Sequence, residues 1–460
     1  MDLVVRSSRV VLPEGIVPAA VFVSGGRIAK VVRAKAPVLA TLEIDAGDSV
    51  VMAGLVDPHV HVNDPGRADW EGFETAGRAA AAGGTTTIVD MPLNSLPVTT
   101  TVDALEAKVR AATGSCRVDF GLWGGIVPGN GGDRRALIDE GALGLKAFLV
   151  PSGIEEFPEV DDLELGRAMS ELAPTGAPVL VHAEDADELE RAAERAARSR
   201  PGSYAEWLAS RPPEAEARAV ARVATLCRQT GARAHVVHVA AAEAVDEVAA
   251  AKAGGIPVSA ETCPHYLSFI AEEVPEGDPR FKCAPPIREA RHRDALWRGL
   301  GSGALDLVAS DHSPCPPALK PPGELAGAWG GIAGLELRLP VTWTEGRIRG
   351  VSLRELARWL AEAPARLAGL SSRKGRIAVG QDADFVIWDP EREFVVDAAK
   401  LHQRHTATPW EGRALRGVVE TTILRGRIVY ERDRFPGTPD GRWLRRTAGM
   451  VAPLAEAGSR

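Results

Sequence analysis

From residue 54 to 311, short apolar runs alternate with stretches rich in Ala, Glu and Arg. The runs are Leu55 to His61, Thr86 to Met91, Val118 to Gly124, Leu143 to Val150, Pro178 to His182, Ala234 to Val239, Ile256 to Ala260 and Leu305 to Asp311. Each is continuously apolar rather than alternating, which is the pattern of a strand buried on both faces of a parallel sheet. Between them Phe73 to Ala82, Val102 to Ala112, Leu163 to Leu172, Glu214 to Gln229 and Ala241 to Ala253 read as helices, several followed by glycine. A count of eight strands separated by helices predicts an α/β fold, a closed (β/α)8 TIM barrel rather than an open doubly wound sheet.

The flanks carry a different pattern. Leu3 to Arg6, Ala20 to Val23 and Ile28 to Val32 are strand-like, and the pattern resumes with Asp384 to Trp388, Gly417 to Leu424 and Arg427 to Tyr430. Both chain ends are expected to build one small, discontinuous β-sandwich from residues 1–52 and 373–447, against a barrel over 53–372, with 448–460 a frayed tail. No solenoid repeat is evident.

Composition narrows the classes of partner. The 460 residues are 45% apolar and 25% charged, with a net charge of −8 and no basic stripe, which excludes a nucleic-acid partner. No apolar stretch reaches the roughly 20 residues of a membrane span, so no membrane partner and a cytoplasmic location are expected. The five cysteines are scattered, without a C-x-x-C pair, and read as reduced thiols. Apolar positions exposed on the barrel helices imply a homo-oligomer acting on a small molecule.

In a barrel of this kind the chemistry sits where the strands end, and the polar residues there form a set. The first run ends in His59-Val60-His61, whose spacing puts both rings on one face of a strand. The fourth carries a lone Lys146 among apolar neighbours, the fifth ends in His182, and the eighth ends in Asp311. The sixth offers His235 and His238, which face opposite ways, and His238 is nearer the strand end. Four histidines, an aspartate and a lysine exceed a mononuclear site and suit two divalent ions. An ammonium would be repelled there, but burial lowers a lysine's pKa, and a neutral amine can take up CO2 to form N6-carboxylysine, whose two oxygens can bridge a metal pair.

Longer strings carry a family resemblance. GLVDPHVHVNDPGRADWEGFETAGRAAAAGGTTT (Gly54 to Thr87), VDMPLNS (Val89 to Ser95), ETCPHYL (Glu261 to Leu267), KCAPPIR (Lys282 to Arg288), SDHSPCPP (Ser310 to Pro317), AWGGIAGLE (Ala328 to Glu336) and GRIAVGQDADFVIWDP (Gly375 to Pro390) resemble the cyclic amidohydrolases, and among them the allantoinase branch. The resemblance implies that His59, His61, Lys146 as the carbamate, His182, His238 and Asp311 hold two divalent metals, zinc first, with Co, Mn or Fe also suited. It implies hydrolysis of the cyclic amide of allantoin to allantoate, a step of purine breakdown, with Asp311 as the catalytic acid and base. Backbone groups around Ala284 and Trp329 would hold the ring, and the assembly would be a tetramer. Relatives with a Tyr five residues after the carboxylated lysine use it as oxyanion donor; here Pro151 stands there, leaving that donor to Ser152 or a metal. Asn63 replaces the Arg by which dihydroorotases pair a substrate carboxylate, and it is expected to contact a neutral, ureido-bearing substrate. Hydantoinases and dihydropyrimidinases are the nearest alternative. A non-catalytic scaffold is the alternative of another class, opposed by the presence of all six ligands.

Overall fold

A computed structural model describes residues 1–34, 40–196 and 202–446; the expected tail at 448–460 lies outside them. All eight apolar runs become barrel strands: Leu55–Val60, Thr85–Asp90, Asp119–Leu122, Leu145–Phe148, Val179–His182, Ala234–Val236, Val258–Thr262 and Leu307–Val308. Their side chains are buried almost throughout, as continuous apolar runs require. Neighbouring strands pair in parallel. The third strand breaks at Trp123, and its continuation, Gly124–Gly125, pairs with the fourth. Glycine is needed at this break: a Cβ on Gly124 would lie 2.5 Å from a Leu145 methyl, and one on Gly125 would lie 2.4 Å from the Phe157 ring.

The barrel closes between its first and eighth strands. Val60 bridges His312 in parallel, and His61 N donates to His312 O at 2.8 Å. Arg338, fully buried, donates to Val56 O at 2.9 Å and Val308 O at 3.1 Å, so one guanidinium spans the seam. Asp57 lies 3.4 Å from Arg338 Nε and accepts from the backbone N–H groups of His59 and Ser310. The residues that begin and end the barrel are thereby fixed to each other just below the strand ends.

Helices Phe73–Ala82 and Val102–Ala112 have the expected bounds, and Asp162–Leu172, Pro213–Thr230 and Ala242–Ala253 lie within a residue of theirs. Asp161 caps the third of these through Glu164 N, and Gly231 ends the fourth in the left-handed conformation.

The flanks meet in one eight-stranded mixed sheet. Leu3–Leu12 pairs with Gly15–Ser24 on one edge; its other edge takes Leu42–Asp45 along the first half and Val50–Val51 along the second. Val50–Ala53 in turn pairs antiparallel with Phe385–Val395, followed by Ala414–Leu424 and Arg427–Glu431. Leu42–Asp45 and Val50–Ala53 were not evident in the sequence, because strands of four residues are too short to display a period.

A buried charge cluster ties this sheet to the barrel. Lys374 Nζ lies 2.5 Å from Asp384, 2.7 Å from Asp119 of the third barrel strand and 3.1 Å from Asp382. Arg425 pairs with Asp119 as well. Removing one partner from such a cluster leaves uncompensated buried charge, at a cost of about 3–5 kcal/mol. Lys374→Met is therefore expected to lower the thermal unfolding temperature by several degrees. An unchanged unfolding temperature would contradict the clamp.

Candidate metal centre

The first strand delivers His59 and His61 to the barrel mouth with ring centroids 5.3 Å apart. From the opposite side of the seam, Asp311 Oδ1 comes within 3.1 Å of His59 Nε2 and 3.4 Å of His61 Nε2. Ligand atoms of these three residues all lie within 4.8 Å of one another, close enough to share one cation. Two more imidazoles complete the floor. His238 approaches His59 at 5.6 Å and meets His182 edge-on at 4.6 Å between centroids. His182 stacks on Phe148 at 4.8 Å. Asp311 and His238 both have positive φ, 46° and 42°. Non-glycine residues rarely adopt that backbone, and here it turns the chain sharply as it leaves the strand.

Lys146 is 1% exposed, and its Nζ has no hydrogen-bond partner among the described residues. The amine lies 4.9 Å from the centroid of the Phe148 ring. Burial pushes it down to about 7, so a large share is neutral at physiological pH. Burial likewise lowers His61, His182 and His238, keeping these rings in the neutral form that binds metal. Asp311 is the opposite case: burial disfavours its charge, but His59, His61 and His238 hold it well below the usual carboxylate range.

Carboxylates behind the imidazoles orient them. Glu261 accepts from His59 Nδ1 with one oxygen, leaving Nε2 to face Asp311, and lies 3.0 Å from His235 Nε2 with the other. Burial opposes its charge, yet His59 and His235 bring it down to about 2. Glu184 lies 2.7 Å from His182 Nε2 and pairs with Arg211; against its burial, these partners also bring it to about 2. A carboxylate bonded to one ring nitrogen fixes the tautomer and directs the other nitrogen at a metal. His235 serves Glu261 from outside the cavity wall, and the expected opposite facing of His235 and His238 does not follow from strand alternation, because the strand ends at Val236 and His238 lies beyond it with positive φ. Sequence reading missed Glu261 and Glu184, since an acidic residue at a strand end carries no signal of which histidine it will meet.

Do these residues fit the metals that the donor set implies? Lys146 Nζ and His238 Nδ1 are buried without partners among the described residues. An unsatisfied buried polar atom costs about 1–3 kcal/mol, and ligands at both atoms would remove that cost. Imidazole and carboxylate donors suit divalent Zn, Co, Mn or Fe. The fit is good.

The floor opens into a cavity of about 360 Å³, walled in part by Pro151, Ser152, Ala284 and Trp329. Ser152 reaches it, but its hydroxyl donates to Phe157 O at 2.5 Å, so its hydrogen is committed inward and it is not the free donor expected opposite Pro151. Asn63 departs further from expectation. It is fully buried and outside the cavity wall. At φ 65° it closes a turn whose carbonyl accepts from Arg67 N, while its Nδ2 points at Pro314 O, 3.5 Å away. Trp207, Arg211 and Lys282 also enter the wall, from segments with no strand-end signature.

A model of the amidohydrolase family matches residues 50–429. An allantoinase of Streptomyces avermitilis is 50% identical over 97% of this chain and 99% of its own length. An allantoinase of Arabidopsis thaliana is 44% identical over 93% and 87% respectively. Among solved structures, L-hydantoinase (dihydropyrimidinase) from Arthrobacter aurescens superposes with a TM-score of 0.93 at 34% identity, covering 97% of this chain and all of its own.

If Lys146 completes the centre, Lys146→Ala should bind at most one of two divalent ions per chain when metal content is measured by plasma mass spectrometry after reconstitution. Two ions retained at wild-type affinity would remove Lys146 from the ligand set.

Proposed function

The chain belongs to the amidohydrolase family, and on that premise we propose that it hydrolyses the cyclic amide of allantoin to allantoate. The observation that carries this reading is the end-to-end similarity to allantoinases, reaching 50% identity. The placement of His59, His61, His182, His238 and Asp311 on the cavity floor, with the buried, unpartnered Lys146 amine, supports the chemistry. His59, His61 and Asp311 would hold one divalent cation and His182 and His238 a second, zinc in the first instance, with Lys146 as N6-carboxylysine between them. Bound there, the cations supply Lewis acidity toward the ring carbonyl and a water activated at neutral pH.

The chain's own groups do the rest. The neutral Lys146 amine adds to the carbon of CO2: an N–C bond forms, one C=O π bond passes its electron pair to oxygen, and the nitrogen releases a proton; the resulting anion would offset the cationic charge of the site. Glu261 and Glu184 keep the rings of His59 and His182 turned toward the floor. Asp311 accepts a proton at a carboxylate oxygen as the ring is attacked and returns it to the departing ring nitrogen, which leaves poorly until protonated. With Ser152 committed to Phe157 O, no serine hydroxyl is assigned to the developing oxyanion.

The same reading takes residues 53–372 as the catalytic barrel and residues 1–52 with 373–447 as the accessory β domain. It takes the working enzyme as a cytoplasmic homotetramer of ureide and purine breakdown. No helix of the described residues is long and apolar enough to cross a membrane, and Leu163 on the helix Asp162–Leu172 is exposed, in keeping with an interface on the barrel's outside. A hydantoinase or dihydropyrimidinase activity is the second reading, favoured by the TM-score of 0.93 to the Arthrobacter enzyme.

A panel of allantoin, hydantoin, dihydrouracil and dihydroorotate, assayed on metal-loaded enzyme, tests the substrate. Allantoin should give the highest kcat/KM; a preference of about tenfold or more for hydantoin or dihydrouracil would favour the second reading. Asp311→Asn should lower kcat by at least about a hundredfold, and a variant with full metal and full rate would exclude it as the proton carrier. Because a protonated amine cannot add to CO2, bicarbonate-dependent reconstitution of metal-free enzyme should weaken as pH falls below about 7, the value to which burial brings Lys146. Reconstitution equally efficient well below that pH would argue against the carbamate.

A further inference from the structure

One wall of the cavity has no part in the chemistry above. Trp207 lies on the short helix Tyr204–Ser210, Arg211 follows it directly, and Lys282 comes from the loop before Ala284. The Lys282 ammonium lies 4.5 Å from the centroid of the Trp207 ring, and the Arg211 guanidinium lies 4.9 Å from it. Trp207 Nε1 donates to Cys283 O at 3.1 Å, which fixes the indole against the segment that carries Lys282.

The two cations differ in what neutralises them. Arg211 is paired with Glu184, the carboxylate that orients His182, and its charge is accounted for. Lys282 has no carboxylate within ion-pair distance among the described residues; its hydrogen bond goes to Ala326 O, at 2.7 Å. An ammonium carries three N–H donors, so two remain. Lys282 is only 5% exposed, and burial together with Arg211 lowers it to about 8. A nearly buried ammonium without a counter-charge is rare, and one carbonyl and an indole face offset only part of its desolvation until a further acceptor arrives. The wall therefore sets two spare donors, held over an indole, in the same cavity as the candidate metal floor.

We propose that Lys282, held over the Trp207 indole, forms the subsite for the substrate's open-chain urea arm, its ammonium donating to the urea carbonyl oxygen. This rests on the proposed function, since allantoin differs from hydantoin by that arm. Lys282 then acts as a specificity residue, and a ring without an arm leaves its donors unpaired.

The test compares kcat/KM for allantoin and for hydantoin in the wild type and in Lys282→Met, which keeps the stem over Trp207 and removes the donors. Metal content and the circular dichroism spectrum are matched first. A hydrogen bond to a charged group contributes about 1.5–3 kcal/mol, so the allantoin-to-hydantoin ratio should fall about 10- to 100-fold, mainly through KM. Lys282→Arg, which keeps donors at that place, should recover part of the ratio. An unchanged ratio in Lys282→Met, with wild-type enzyme active on allantoin, would overturn the subsite and leave the functional reading standing. Wild-type preference for hydantoin-5-acetate over allantoin would overturn it too, by assigning the wall to a carboxylate. Wild-type enzyme that opens hydantoin but not allantoin would overturn both.

Discussion

A primary amine buried in a barrel strand, with no hydrogen-bond partner among the described residues, is a costly thing for a fold to keep. Lys146 is held there by Leu145 and Ala147 in the backbone ladder between the third and fifth strands, so it cannot swing to solvent without breaking the barrel. Its surroundings are shaped by that constraint. Phe148 covers it, the flanking histidines stay neutral, and of the acidic groups that act on it Glu261 has both oxygens, and Asp311 one, engaged by imidazoles. What the amine lacks is an anionic extension of its own, and the proposed carbamate supplies one.

The rest of the centre depends on strand ends being held in register. Arg338 and Asp57 fasten the first strand to the eighth, which brings His59 and His61 to Asp311. Glu261, at the end of the seventh strand, reaches back to His59, and Glu184 reaches back to His182 two residues before it. Because His59 and His182 each have one nitrogen tied, little reorganisation of these rings remains when a cation arrives. The cluster of Lys374 with Asp119, Asp382 and Asp384 joins the peripheral sheet to the third strand. The barrel and its flanking sheet thus share one charged fastening well away from the floor.

The barrel was legible because a strand buried on both faces must be apolar throughout, so Thr85–Asp90 and Val179–His182 stand out from the helical sequence around them. The six proposed donors stood out for a related reason: at the end of such a strand a His, Lys or Asp has no packing role to explain it. Groups that act through tertiary position were not. Glu261 reads as an ordinary acidic residue until His59 and His235 are seen on its two oxygens. Asn63 looked like a substrate contact because it follows His61 by two, but a left-handed turn carries it out of the wall, and the hydroxyl of Ser152 faces Phe157. Lys282 and Trp207, 75 residues apart, come together only in three dimensions.

The most direct test of the centre is carbon-13 NMR on enzyme reconstituted with divalent metal in carbon-13-labelled bicarbonate. A carbamate on Lys146 predicts one labelled carbamate carbon per chain, which disappears when the metals are chelated and the protein is acidified. Enzyme that holds both metals and full activity without any labelled carbamate carbon would contradict it, and would mean that the buried amine is satisfied in some other way.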